Sequence, residues 1–98
     1  MVANAKVSSI FRELADLLIQ KKENWFKVRA YRKVAEEIEK SPVELSALAS
    51  EGRLREIPGV GEAIEKKIKE ILTTGRLQLL ERLKAEIGEG RIEQSRKQ

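Results

Sequence analysis

The stretch LREIPGVGEAIEKKIKEIL, Leu54 to Leu72, sets Pro58-Gly59-Val60-Gly61 between two apolar-periodic segments. Two glycines two residues apart allow positive φ and a close approach to the backbone. A helix starting near Glu62 aims its free N–H groups back at that turn, and such groups suit a phosphate. Gly-x-Gly alone also fits an ordinary helix–helix turn. The fuller pattern is more specific. It has Ile57 before Pro58, Val60 as an apolar anchor between the glycines, and a following helix with Ile64 and Ile68 on one face. It packs two helices tightly while leaving N–H groups open to a phosphodiester, a contact that carries no base sequence. Glu62 at the helix start favours the helix dipole but competes with a phosphate, so it must point aside.

Working outward, Ile64, Ile68, Ile71 and Leu72 form the apolar stripe of the helix after the turn, and Gly75 ends it. Leu77, Leu80, Leu83, Lys84 and Ile87 predict a last helix. Toward the N-terminus, Asn4 is placed to cap a helix carrying Val7, Ile10, Phe11, Leu14, Leu17 and Leu18, ending near Lys21. Asn24 caps a second, with Phe26, Ala30, Tyr31, Val34, Ala35 and Ile38 at helical spacing. Ser41-Pro42 predicts the start of a short third helix that stops at Gly52, and Leu54 to Ile57 allows one further turn. No segment alternates as a strand does. The expected fold is all-α, a four-to-five-helix domain over residues 1–87 with two helices joined by one glycine hairpin. Its expected core includes Phe11, Leu14, Tyr31, Val34, Ile38, Ile64, Ile68 and Leu80. The polar segment 88–98, GEGRIEQSRKQ, is expected to be disordered.

The chain has 98 residues, enough for one core, and 41% of them are hydrophobic. The net charge is +4 and the pI about 9.5, a mildly basic balance compatible with nucleic acid. There is no cysteine and no histidine, which excludes disulfides and thiolate metal sites and argues against zinc hydrolysis and histidine base catalysis. No apolar run nears the roughly 20 residues that span a bilayer. MVANAKVSSIF lacks a secretory apolar core. The sequence therefore reads as a soluble, intracellular monomer without membrane contact.

Two further stretches carry charge in a pattern. KKENWFKVRAYRK, Lys21 to Lys33, holds six basic side chains and one acidic, with Trp25, Phe26 and Tyr31 interleaved. It reads either as a solvated face or as a second phosphate-contacting surface, with Lys27 and Arg29 as contacts and Trp25 either stacking on a base or packing at the helix start. The second is Lys66, Lys67 and Lys69. At about 100° per residue, Lys66 and Lys69 point away from Ile64, whereas Lys67 lies within about 60° of Ile64 and about 40° of Ile71. An edge lysine usually snorkels. Partly desolvated and near other cations, it also gains a neutral amine able to form a Schiff base with a sugar aldehyde.

With these segments in place, the chain resembles the amino-terminal helix-hairpin-helix domain of the family X, polymerase-beta-like DNA polymerases, the bacterial members most of all. The resemblance runs from Asn4 to Ile87. It rests on FKVRAYRKVAEEIE, EGRLREIPGVGEAIEKKIKEIL and TTGRLQLLERLKAE, in that order and spacing. It implies a four-helix domain that grips DNA at gaps and nicks beside a 5′ phosphate, in DNA base excision repair. It also implies a 5′-deoxyribose phosphate lyase. In that mapping Lys67 is the Schiff-base nucleophile, Tyr31 an active-site tyrosine and Lys27 a ligand of the 5′ phosphate. Gly59, Val60 and Gly61 bind the DNA backbone. Arg29 and Lys66, from the two basic stretches and not from the mapping, are expected as further phosphate contacts. No cofactor is required. A monovalent cation, potassium or sodium, is implied at the carbonyls of Arg55, Ile57 and Val60.

The chain departs from the family's lyase pocket at four places. Phe26 stands where the animal enzyme has histidine, Ala63 and Leu79 where it has lysines, and Lys66 where it has glutamate. Lyase activity is therefore expected to be weak or absent, and DNA binding is the primary expectation. Polymerisation is not expected of this chain by itself, and the remaining polymerase domains are expected partners. In a bacterium the compartment implied is the cytoplasm or nucleoid. A protein-interaction domain on the same scaffold is the alternative from a different class.

Overall fold

A computed structural model describes the backbone of residues 2–97 and the side chains of residues 2–88. Helix α1 is Asn4–Gln20, α2 Trp25–Lys40, α3 Leu45–Ser50, α4 Glu62–Thr74 and α5 Gln78–Lys97, with a 3₁₀ turn at Leu54–Glu56 before α4. The described residues contain no strand, in agreement with the all-α expectation. The side chains of residues 89–98, where the polar tail was expected, lie outside the described residues.

Helices α1 and α2 form the main packing pair, joined by a short connection. Lys22 makes the reversal with φ 55°, and the Glu23 N–H reaches back to the Leu18 carbonyl at 3.0 Å. Asn24 then caps α2 as the sequence predicts, its Oδ1 accepting from the Phe26 N–H at 3.0 Å and the Lys27 N–H at 3.4 Å. Val7, Phe11, Leu14 and Leu18 of α1 meet Val28, Tyr31, Val34 and Ile38 of α2 in one buried cluster, which Ile68, Ile71, Leu77, Leu80 and Leu83 close from the C-terminal side. The Phe11 and Tyr31 rings lie 5.8 Å apart at the centre of the α1–α2 contact. Each such side chain stabilises the fold by about 1.5–3 kcal/mol on burial.

Four local expectations are corrected. Asn4 does not cap α1, whose first N–H groups bond the Ala3 carbonyl. Its side chain crosses to the loop before α3, where Oδ1 accepts the Leu45 N–H at 2.8 Å and Nδ2 donates to the Val43 carbonyl at 2.9 Å. Helix α3 accordingly starts at Leu45, not at Pro42. Ser41 spends its hydroxyl on a local turn, accepting the Val43 N–H at 3.2 Å and donating to the Val43 carbonyl at 2.8 Å. On α2, Phe26 is 80% exposed and Ala30 is exposed, because both lie about 160° around the helix from buried Val28. Ile64 packs against the core but is only partly buried, since it sits in the first turn of α4 at the edge of the bundle. The other residues expected in the core are buried there.

Candidate nucleic-acid interface

The hairpin is built from the 3₁₀ turn, residues 57–61 and the start of α4. Ile57 and Val60 are buried and anchor it, and the Val60 N–H closes it onto the Ile57 carbonyl at 3.1 Å. The two glycines do different work. Gly59 has φ +89°, and a Cβ there would stand 3.3 Å from Cγ2 of Val34, so this glycine seats the hairpin against α2. Gly61 is extended, φ −104° and ψ −167°, and a Cβ there would meet nothing within 4 Å. The expectation that both positions exploit positive φ is corrected for Gly61. It caps α4 with its carbonyl, which accepts the Glu65 N–H at 2.9 Å.

Among the described residues, the N–H groups of Gly59, Gly61, Glu62 and Ala63 have no backbone acceptor. They stand at the turn and the positive end of a 13-residue helix. Glu62 turns along α4 to Lys66, 3.8 Å away. Glu65 is drawn toward the 3₁₀ turn by Arg55, whose Nε donates to it at 3.0 Å, and toward Lys69 at 3.8 Å. Each first-turn carboxylate thus has a cation of its own. On the other side of the loop, the Arg55 and Val60 carbonyls receive no N–H among the described residues, and the Ile57 carbonyl receives only that of Val60.

A groove of about 580 Å³ continues from the hairpin between α4 and α5, lined among others by Ala63, Lys66, Lys67, Leu79 and Arg82. A smaller one of about 220 Å³ lies between α2 and α5, with Lys21, Lys27, Tyr31, Leu79, Arg82 and Glu86 in its walls. Lys67 stands six residues past Gly61, about 9 Å along the helix axis. Lys66 and Lys69 pair with the acids four residues before them, whereas Lys67 has no carboxylate within 4 Å among the described residues. It is half-buried, and this desolvation, reinforced by the positive charge of Lys27, holds its ammonium below the usual lysine range; Glu70 offsets part of the shift. Burial likewise raises the Tyr31 phenol, which stays protonated at neutral pH.

Lys27, Tyr31 and Lys67, distant in sequence, are thereby brought to one pair of grooves, with Lys66 in the wall of the larger. Arg29 does not line either groove; its guanidinium lies 5.8 Å from the ring centroid of Phe26, a cation–π contact on the outer side of α2. Trp25 is 57% exposed beside it, which leaves its ring available for stacking. Sequence reasoning passed over Arg82, which lines both grooves, although its position three residues after Leu79 puts the two on one face of α5. It also passed over the Lys33 stem, which lies against the hairpin at Gly59.

Fold and hairpin together define a small helical domain organised around two segments joined by a glycine turn, with a row of N–H groups presented at the joint. The sequence matches the helix-hairpin-helix domain family over residues 2–77, and the chain belongs to that family. Helix-hairpin-helix domains are generally nucleic-acid binding. Among the described residues no helix is long and apolar enough to cross a membrane.

Proposed function

We propose that this domain grips DNA through backbone phosphates, without reading sequence, at gaps or nicks carrying a 5′ phosphate, as the amino-terminal domain of a family X repair polymerase inside the cell. The observation that carries the reading is the set of N–H groups at Gly59, Gly61, Glu62 and Ala63 that have no backbone acceptor, about 9 Å along the helix from Lys67. The hairpin takes an internal phosphodiester, and a potassium or sodium ion at the Arg55, Ile57 and Val60 carbonyls would supply further positive charge beside it. Lys27 takes the terminal phosphate. Lys66 and Arg29 add contacts at the margins, and Trp25 and Phe26 offer apolar faces to unpaired bases.

A second reading, a 5′-deoxyribose phosphate lyase, is favoured by the lowered ammonium of Lys67. Its neutral amine would attack the C1 aldehyde of the abasic sugar with loss of water, giving a Schiff base. Loss of a C2 proton to solvent would then expel the 3′ oxygen and leave a 5′ phosphate on the DNA, and water would hydrolyse the remaining Schiff base, releasing the unsaturated sugar phosphate and restoring the Lys67 amine. The Tyr31 hydroxyl, kept protonated, would orient the sugar. Phe26, Ala63 and Leu79 supply no proton carrier or phosphate ligand, so the turnover expected is slow. Borohydride trapping on DNA bearing 5′-deoxyribose phosphate tests this reading. An adduct absent only in Lys67→Ala supports it, and no adduct from the parent removes it.

Titration of labelled intact, nicked and gapped duplexes tests the binding reading. Gapped DNA with a 5′ phosphate should bind most tightly. With about three phosphates neutralised, raising salt from about 50 to about 200 mM should weaken binding by between one and two decades. Equal affinity for all three duplexes would remove the gap preference. A flat salt response would point to a protein-interaction domain instead.

A further inference from the structure

Leu79 and Arg82 line both grooves, and they differ in exposure: Leu79 is packed against the core and forms the floor between them, while Arg82 is exposed above it. The acids that line the same grooves each have a closer partner, although the charge of Glu70 also acts on Lys67. Glu86 bonds Lys21, and Glu23 lies 3.5 Å from the same ammonium. Glu62 pairs with Lys66. Glu70 accepts the Gln78 N–H at 2.6 Å, at the start of α5. Among the described residues Lys27, Lys67 and Arg82 have no carboxylate within 4 Å; Arg82 acts on Glu86 only through its longer-range charge. Three helices therefore each bring a cation without a direct ion pair to the two grooves that share Leu79.

We propose that Arg82 is the residue by which the domain distinguishes a 5′-phosphate end from a 5′-hydroxyl end, its guanidinium holding two oxygens of the terminal phosphate. The inference rests on the DNA-end reading above and adds a specificity-determining residue to it. A terminal phosphate carries close to two negative charges near neutral pH, an internal phosphodiester one, so a cluster of three cations favours the end. Lys27 and Lys67 are point charges on flexible stems. A planar guanidinium makes two parallel N–H···O bonds and fixes the orientation of the group it holds. Its place over Leu79 lets it reach a phosphate in either groove.

The experiment measures affinity for gapped duplexes that differ only in a 5′ phosphate or 5′ hydroxyl, and takes the ratio of the two. Arg82→Gln should lower the parent's ratio about tenfold, with helicity and melting unchanged. Arg82→Lys should fall between the two. Arg76→Gln, which removes the same charge from a residue that lines neither groove, should keep the parent's ratio. An unchanged ratio in Arg82→Gln overturns the proposal while leaving the DNA-end reading intact. A full ratio in Arg82→Lys overturns the two-bond geometry. A parent that binds both ends equally overturns the DNA-end reading and this inference with it.

Discussion

Lys67 on α4 and Lys27 on α2 line two grooves that share Leu79 and Arg82, and their charges interact: Lys67 is held below the ordinary lysine value of 10.5 first by burial and then by the Lys27 ammonium. A lowered ammonium loses its proton at lower pH, so the neutral form of Lys67 becomes populated before that of solvent-exposed lysines. Titration of the side-chain carbons by NMR should show Lys67 with a midpoint below 10.5 in the free protein. Lys27→Ala should move that midpoint upward, since it removes a like charge, but not fully back, since the desolvation stays. A Lys67 midpoint that does not respond to Lys27→Ala would separate the two side chains.

The hairpin glycines should fail in different ways. Gly59→Ala places a side chain at φ +89° with its Cβ 3.3 Å from Val34, and should cost about 1–2 kcal/mol or more in denaturant unfolding. Gly61→Ala meets nothing within 4 Å in an extended conformation open to any residue, and should melt within about 0.5 kcal/mol of the parent. If the hairpin takes a phosphate as proposed, the added Cβ would crowd it, so affinity for DNA should drop about tenfold or more, and Gly61→Val further. Strong destabilisation by Gly61→Ala, or full DNA affinity in Gly61→Val, would contradict this division.

Asn4 ties the N-terminus of α1 to the start of α3 through two hydrogen bonds, across 39 and 41 residues of chain. Asn4→Ala should therefore behave as the loss of a helix cap for α3, lowering stability by about 0.5–2 kcal/mol. Asn4→Asp keeps the acceptor for the Leu45 N–H and should recover part of that loss at neutral pH. Ser41→Ala should cost less than Asn4→Ala, because it removes only a local turn contact. The reverse order, measured by chemical denaturation, would restore Ser41 as the principal cap of α3.

The order and type of the helices were legible because their apolar spacing is regular and Asn24, Gly61 and Gly75 mark real ends. What was hidden depended on contacts distant in sequence. Nothing local says that Asn4 caps a helix 41 residues away, since the same side chain reads equally well as a cap for its own helix. Phe26 and Ala30 were misplaced because a spacing of four fits a helix face wherever that face points; Val28 decided it only once α1 was packed against α2. Lys67 was legible from its angle on the helical wheel. Arg82 was not, because its place follows from two grooves, one beside α4 and one beside α2, that share Leu79 on α5, a three-helix relation that no single periodicity contains.

The central claim, that the hairpin backbone takes a DNA phosphate, is tested most directly by amide chemical shifts during titration with a gapped duplex carrying a 5′ phosphate. The amides of Gly59, Gly61, Glu62 and Ala63 should shift most, saturating together with perturbations at Lys27 and Lys67. Shifts that leave these four amides in place and fall instead on α3 or the outer faces of α1 would contradict the account.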